Sequence, residues 1–246
     1  MAQAAQTATA KTPPTLEQSF ELLKAYKSGD DPTVLIPIEA AVMAVQGNMA
    51  NRAALERRLA ATLTPAYSSL ARSFVCRQLA LIGTPASVPA LAPLVLDEEL
   101  SVHARNALER MPGPESAKAL RDALGQAKGR TRIGVINSVA ARRDAASTPV
   151  LIKILGEDPE SAAAAARALG EIGTSEAAKA LAAARGKGPA TVQQAVVDGT
   201  LTCAERLVAA GQRSQAITLL ESLTEASQPE HVRLAASRAL SAAARK

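Results

Sequence analysis

Residues 167–181 read RALGEIGTSEAAKAL, a turn around Gly173 between two alanine-rich apolar segments. Three earlier stretches follow the same plan: LALIGTPASVPAL starts at residue 79, LERMPGPESAKAL at 108 and VAARRDAASTPVL at 139. When the four are aligned, their last leucines fall at positions 91, 120, 151 and 181, so the spacings are 29, 31 and 30 residues. A period of about 30 residues with one internal turn predicts two helices per repeat and a stacked array of repeats.

Proline and glycine mark the ends of the predicted helices, because proline suits the first turn of a helix and glycine suits the residue after its end. Thr15 with Gln18 three residues later forms a capping-box pattern that predicts a helix start. The prolines interpreted as helix starts are Pro65, Pro159 and Pro189, and the glycines interpreted as helix ends are Gly83, Gly173 and Gly211. Together with apolar residues at intervals of three and four, these signals predict helices over 15–27, 37–46, 49–63, 65–82, 85–96, 98–111, 114–127, 130–142, 146–155, 159–172, 174–185, 190–210, 212–225 and 229–244.

The composition favours packed helices. Of the 246 residues 55 are alanine, the best helix former, while only four are aromatic and none is Trp. The sequence has no clustered alternating run of β-branched and aromatic residues, which argues against all-β and α/β folds. No stretch approaches the roughly 20 apolar residues that span a bilayer, so we expect a soluble chain without membrane insertion. Its compartment stays open between the cytoplasm and export followed by removal of a signal peptide.

The chain divides into three parts on this interpretation. Residues 1–14 form an Ala/Thr-rich tail that we expect to be flexible, and residues 15–63 form a helical capping region. Residues 64–246 form the repeat array. Within the array, residues 190–225 form a longer helical hairpin, and a terminal helix follows at 229–244.

RALGEIGTSEAAKAL, QLALIGTPASVPAL (78–91) and PEHVRLAASRAL (229–240) resemble HEAT repeats, particularly the short class of about 30 residues called phycobilisome-lyase-type HEAT-like repeats. The resemblance covers residues 50–246 and implies an all-α fold, a right-handed α-α superhelix of stacked helical hairpins. The segment 190–225 departs from the short pattern and is more similar to a TPR-like hairpin. In HEAT-type arrays the second helix of each pair usually lines the concave side, which is the expected binding surface. The resemblance specifies the fold and leaves the function open.

Charged residues on the predicted second helices and their turns are candidate partner-binding residues. They are Lys118, Arg121, Asp122, Lys128, Lys153, Lys179 and Arg185. A solvated helix face carries such charges as well, which is the competing interpretation.

A basic segment overlaps this set. Lys128, Arg130, Arg132, Arg142 and Arg143 lie within sixteen residues that contain no Asp or Glu, in a chain of formal net charge +5. Such a cluster could contact the phosphates of nucleic acid or another anionic polymer. Alternatively, Arg142 and Arg143 end a helix, where cations complement the helix dipole. All four aromatic residues precede position 75, so the segment has no stacking platform for bases.

The sequence shows no catalytic or metal-binding constellation. Acidic residues cluster at 30–31, 97–99 and 157–160, at predicted helix starts, where carboxylates cap backbone N–H groups. His103 and His231 are isolated, and Cys76 and Cys203 lie among apolar helical positions typical of buried thiols. The GKG stretch at 186–188 follows a predicted helix and not a strand, so we interpret it as a linker turn. We therefore predict no cofactor, no metal and no enzymatic activity.

Three functions are compatible with these features. The first is a non-catalytic scaffold that binds a protein partner of unknown identity on its concave face. The second is an anionic-polymer binder that uses the 128–143 segment. The third is an enzyme subunit similar to the bilin lyases that share these repeats, which would require a partner subunit and bilin binding.

The register of the repeat makes a prediction of its own. Leu181→Asp should place an unpaired charge in the core and unfold the neighbouring repeats, because burying such a group costs several kcal/mol, on the order of 3 or more. Circular dichroism should show lost helicity and a lower melting temperature. Unchanged helicity and melting would show that the register is wrong.

Overall fold

The computed structural model describes residues 13–45, 47–226 and 228–244, and within them the chain is an all-α solenoid without strands. Fourteen α-helices and four short 3-10 helices lie in this part of the chain. The α-helices are α1 (Leu16–Ala25), α2 (Ile36–Ala44), α3 (Met49–Ala61), α4 (Ser69–Ile82), α5 (Val88–Leu91), α6 (Ser101–Arg110), α7 (Pro114–Gln126), α8 (Gly129–Ala141), α9 (Thr148–Glu157), α10 (Ala162–Ile172), α11 (Ser175–Ala184), α12 (Ala190–Ala209), α13 (Arg213–Glu221) and α14 (Glu230–Ala244). The predicted tail, residues 1–14, lies almost wholly outside the described residues.

Stacked helix pairs form one continuous core from α1 to α13. The first helices of successive pairs, α4, α6, α8, α10 and α12, pack each against the next, and α5, α7, α9, α11 and α13 are their second helices. Leu91, Leu120, Leu151 and Leu181 lie in α5, α7, α9 and α11, and the exposed fraction of each is 0%. The alignment of the four stretches therefore has the correct register, because equivalent leucines occupy equivalent core positions.

The helix predicted over 85–96 is wrong as a single helix. The chain forms a 3-10 helix at Pro85–Ser87, one turn of α-helix at Val88–Leu91 and a second 3-10 helix at Ala92–Leu96. Three prolines, at positions 85, 89 and 93, recur at intervals of four residues. Pro85 opens the segment. Pro89 and Pro93 lack the N–H groups that an α-helix would bond to the carbonyls four residues back, so the series of backbone hydrogen bonds is interrupted twice.

Two predicted helix starts are also displaced. Pro65 lies in a turn, and α4 begins at Ser69 because the Ser68 hydroxyl accepts a hydrogen bond from the Ala71 N–H at 3.1 Å. Pro159 likewise lies in a turn before α10 begins at Ala162. The capping box at Thr15 and Gln18 is present as predicted, and Pro189 directly precedes α12.

The acidic clusters cap turns at the starts of helices, as predicted. Asp31 accepts a hydrogen bond from the Thr33 N–H at 3.0 Å. Asp97 accepts from the N–H groups of Glu99 and Leu100, both at 3.0 Å. Asp158 accepts from the Glu160 N–H at 3.2 Å. These carboxylates satisfy backbone donors that have no partner within a helix.

Helices α10 and α12 approach each other most closely at Gly170 and Gly199. A methyl group added to Gly170 would lie 2.5 Å from the Gly199 carbonyl oxygen. One added to Gly199 would lie 2.5 Å from the carbonyl oxygen of Ala166. Two helix backbones are thus in contact, and only glycine fits at either position.

Arginine side chains donate hydrogen bonds to the last carbonyl groups of first helices in neighbouring repeats. The Arg142 guanidinium lies 2.9, 3.0, 2.6 and 3.0 Å from the carbonyl oxygens of Leu108, Glu109, Met111 and Gly113 at the end of α6. Arg52 donates to the Ile82 carbonyl at the end of α4, at 2.8 Å. These carbonyls have no N–H partner within their helix, and a cation also complements the negative end of the helix dipole.

The glycine contact predicts opposite effects for one substitution at two sites. Gly199→Ala should lower the free energy of unfolding by about 1–3 kcal/mol, because α10 and α12 must move apart. Gly156→Ala, in α9, meets no atom within 4 Å and should raise it by up to about 1 kcal/mol through helix propensity. Urea unfolding followed by circular dichroism measures both. A stabilising Gly199→Ala would contradict the close packing.

Arg142 and Arg143 provide a second matched pair. Arg142→Met should lower the free energy of unfolding by about 1.5–3 kcal/mol, because it keeps an apolar side chain and removes the charged donor from the end of α6. Arg143→Met removes the same charge from an exposed side chain and should change stability by less than about 0.5 kcal/mol. Thermal melting of both variants makes the comparison. Equal losses would show that Arg142 acts only through net charge.

Candidate interaction surface

The second helices of successive repeats leave a groove between each neighbouring pair. The first groove lies between α7 and the broken helix over 85–96 and has a volume of about 520 Å³. The second lies between α7 and α9 and measures about 420 Å³. The third, between α9 and α11, measures about 360 Å³, and the fourth, between α11 and α13, about 540 Å³. A ladder of four grooves therefore runs along the face formed by the second helices, which we call the second-helix face.

Charges in the first two grooves compensate each other. In the first, Lys118 Nζ lies 2.5 Å from Asp122 Oδ2 one turn along α7. In the second, Lys153 Nζ lies 3.8 Å from Glu157 Oε2, also one turn along the helix. These exposed pairs contribute little to stability. They do leave this half of the second-helix face close to neutral.

The third and fourth grooves carry cations without carboxylates. Apolar side chains, including Ile152, Leu155 and Val192, line the third groove together with Lys187. Lys179 and Arg185 line the fourth groove beside serine, threonine and glutamine side chains. Within the described part of the chain, no Asp or Glu lines either groove.

The structure distributes the predicted partner-binding residues unevenly. Lys118, Asp122, Lys153 and Lys179 line the grooves with exposed side chains, as the second-helix hypothesis expects. Arg121 instead donates from Nη1 to both carboxylate oxygens of Asp144, each at 2.8 Å. Asp144 lies between α8 and α9. Arg185 lines the fourth groove while donating to the Ser222 carbonyl at 2.5 Å.

The basic segment 128–143 does not form one surface. Its first three cations, Lys128, Arg130 and Arg132, lie at the start of α8, and Arg142 and Arg143 follow its end. Along α8 the two groups lie about 15–20 Å apart, because ten to fourteen residues separate their members from Arg142.

Two of these five cations bind within the protein. Arg132 donates to the Ala127 carbonyl and to Asp158 Oδ2, both at 2.6 Å, and this bond lowers the pKa of Asp158. Arg142 seals the end of α6. Lys128, Arg130 and Arg143 remain exposed. Arg143 has a φ of +49°, so it occupies the left-handed region as the chain turns after α8.

The aromatic side chains belong to the core. Phe20, Tyr26 and Phe74 are buried, and Tyr67 is half-buried against them. The Arg58 guanidinium stacks 3.9 Å above the centre of the Phe20 ring. They therefore offer no exposed aromatic anchor on the second-helix face.

The thiols of the two cysteines and the imidazole of His103 are poorly suited to catalysis. Burial raises the pKa of Cys76 to about 12 and that of Cys203 to about 11, so neither thiol provides a thiolate nucleophile near neutral pH. Burial, reinforced by Arg77, lowers the pKa of His103 and favours the neutral imidazole. Across the described residues, no group of three or more His, Cys, Asp or Glu side chains could hold a metal ion. Nor does any described helix combine the length and apolar character needed to cross a membrane.

The sequence pattern did not identify Lys187 as a residue of the candidate interaction surface. The stretch at 186–188 is a turn, as interpreted, with Gly186 and Gly188 at φ +70° and +79°. The turn carries Lys187 to the edge of the third groove. Two glycines around a lysine at the end of a second helix were the available signal.

Comparisons with known proteins found solved structures and one family model that are similar to this chain. An engineered protein has a TM-score of 0.43 at 22% identity, with 92% of this chain and 68% of that chain covered. The complex of CpcE and CpcF of phycocyanin lyase from Nostoc sp. PCC7120 has a TM-score of 0.41 at 18% identity, with 98% of this chain and 100% of that chain covered. No curated protein is similar enough in sequence to count as a relative. The family model described as HEAT repeats matches residues 129–199, so this stretch of the chain is similar to HEAT repeats.

Proposed function

We propose that this protein is a non-catalytic scaffold that binds a protein partner on its second-helix face. The observation that carries the proposal is the ladder of four grooves between consecutive second helices. The core residues hold these helices in place, so the face exists before a partner arrives. Binding to a preformed face loses little conformational entropy, which favours affinity.

The dimensions of the second-helix face suit a protein partner. Five second helices at interaxial distances of about 8–10 Å give a face about 35–40 Å long. A stable protein–protein interface buries about 800 Å² on each side, which such a face can supply. Alanine side chains such as Ala119, Ala180 and Ala183 keep the groove walls low and leave room for partner side chains.

The division of the chain into parts serves this function in our proposal. Residues 15–63 would cap the array at its amino-terminal end, which two contacts support. Glu56, buried in α3, accepts hydrogen bonds from the Thr84 N–H at 2.6 Å and from the Ser87 hydroxyl at 2.5 Å. The longer hairpin over 190–225 and the terminal helix would close the other end, so the second-helix face lies between two caps.

Anionic polymers are less suited to the molecule than proteins are. The segment 128–143 presents its exposed cations at both ends of α8, about 20 Å apart, and Arg132 and Arg142 are engaged internally. The bilin-lyase hypothesis has only the resemblance of the repeats behind it. We therefore keep the protein partner as the proposed ligand class.

Groove-filling variants test the proposal. Gln126→Trp with Lys153→Trp fills the first two grooves, and Ala183→Trp with Thr218→Trp fills the last two. The tagged full chain is used to capture proteins from nuclease-treated lysate of its source, with washes at low and high salt. We expect one saturable protein partner, and at least about tenfold less of it with one or both double variants, since filled grooves lose shape complementarity.

The control is Val102→Trp with Asn137→Trp, exposed positions on first helices that line none of the four grooves. It should capture the partner as the unmodified chain does. Capture lost only with the control would place the binding surface on the first helices. Capture of nucleic acid alone from a parallel lysate without nuclease, released by salt, would replace the protein partner with an anionic polymer.

A further inference from the structure

The two grooves beside α11 differ from the other two in their charge. In the first and second grooves, lysines lie one turn from carboxylates that neutralise them. Among the described residues that line the third and fourth grooves, Lys179, Arg185 and Lys187 are the charged ones, and all three are cations. The walls of these two grooves therefore carry positive charge alone, which attracts anionic groups, while Glu176, exposed one turn before Lys179 on α11, lines neither groove.

These cations are available to a ligand. Lys179 and Lys187 are exposed, and no carboxylate of the described chain lies within ion-pair distance of either. Arg185 is half-buried, and one of its Nη atoms is fixed by the Ser222 carbonyl. A fixed guanidinium loses less conformational freedom on binding a carboxylate than a free one does.

The floor of the same grooves is apolar. Ile152 and Leu155 are half-buried at the third groove, and Val192 is buried beside them. Leu219 forms part of the floor of the fourth groove. Aliphatic side chains of a ligand would remove this surface from water while its acidic groups meet the lysines.

We propose that the grooves beside α11 bind an acidic amphipathic segment of the partner protein, in which Asp or Glu residues flank aliphatic side chains. This inference rests on the proposed function and adds the chemistry of the partner to it. A peptide fits better than a nucleic acid does. Three cations are few for a phosphate backbone, an apolar floor offers nothing to it, and no aromatic residue after position 74 can stack on bases.

A peptide library provides the test. The full-length chain is panned at physiological salt against phage-displayed random 16-residue peptides. The selected consensus is then synthesised with a fluorescent label, and its affinity is measured by fluorescence anisotropy. We expect enrichment of sequences that combine Asp or Glu with Leu, Ile or Val. Their affinity should fall with rising salt without vanishing, since the apolar contacts are not screened.

Charge reversal locates the site. Lys179→Glu with Lys187→Glu should weaken binding of the selected peptide at least about tenfold, as expected for lost and reversed charge pairs. The matched control also reverses two charges: Lys24→Glu with Lys27→Glu changes two exposed lysines that line none of the four grooves. It should change the affinity less than about twofold. All four side chains are exposed, and circular dichroism should show unchanged folding.

Several results would overturn the inference. Enrichment of peptides without acidic residues, or no enrichment at all, would remove the proposed chemistry. An equal loss of affinity in the control, Lys24→Glu with Lys27→Glu, would show that the site is elsewhere. Tighter binding of a labelled 20-nucleotide single strand than of the selected peptide would favour a nucleic acid. If the peptide test fails but the groove-filling variants capture less of the partner protein than the unmodified chain does, the scaffold function stands and only the proposed partner chemistry is wrong. If those variants capture as much of it as the unmodified chain, both proposals are wrong.

Discussion

No helix pair in this protein can bury its own apolar side, so every pair depends on its neighbours. A unit of about 30 residues is too small to hold an independent core. The leucines at 91, 120, 151 and 181 are fully buried because the next repeat covers them. Where two first helices come closest, at Gly170 and Gly199, even a methyl group would not fit. The second helices are positioned by this packing, and the grooves between them are its consequence.

Stacking also brings polar backbone groups into the junctions between repeats. The last carbonyls of α4 and α6 face the neighbouring element, where water has limited access and an unpaired acceptor is costly. Arg52 and Arg142 supply donors on long, apolar stems that reach across the junction. Arg105 has a similar place between α6 and α8: its guanidinium donates to the Gly134 carbonyl at 2.8 Å, and burial lowers its pKa. Much of the arginine in this chain therefore stabilises the array.

The sequence alone was enough to predict the helical pairs and their register, because burial at fixed intervals is written into the local pattern. Leu181 and its equivalents show this directly. The broken helix over 85–96 escaped prediction, since its apolar spacing is helical and only the four-residue interval of its prolines reports the missing donors. The partners of Arg142 lie 29 to 34 residues earlier in the chain, a contact that no local pattern can show. Two of the five cations in the apparent basic cluster, Arg132 and Arg142, thus find their structural partners only when the repeats are stacked.

The candidate surface lies next to the less strongly packed end of the array. Leu223, Val232 and Ala236 form a small buried cluster beside the continuous core, and α14 packs against both: Ala239 and Leu240 contact the main core. Because stability in a repeat array is a sum of nearest-neighbour terms, the end with fewest buried contacts opens first. A ligand in the fourth groove would contact both α11 and α13, and so would bridge the last two helix pairs of the continuous core. Binding in the fourth groove would therefore also stabilise the carboxyl-terminal end of the array against local opening, because a ligand stabilises the state to which it binds.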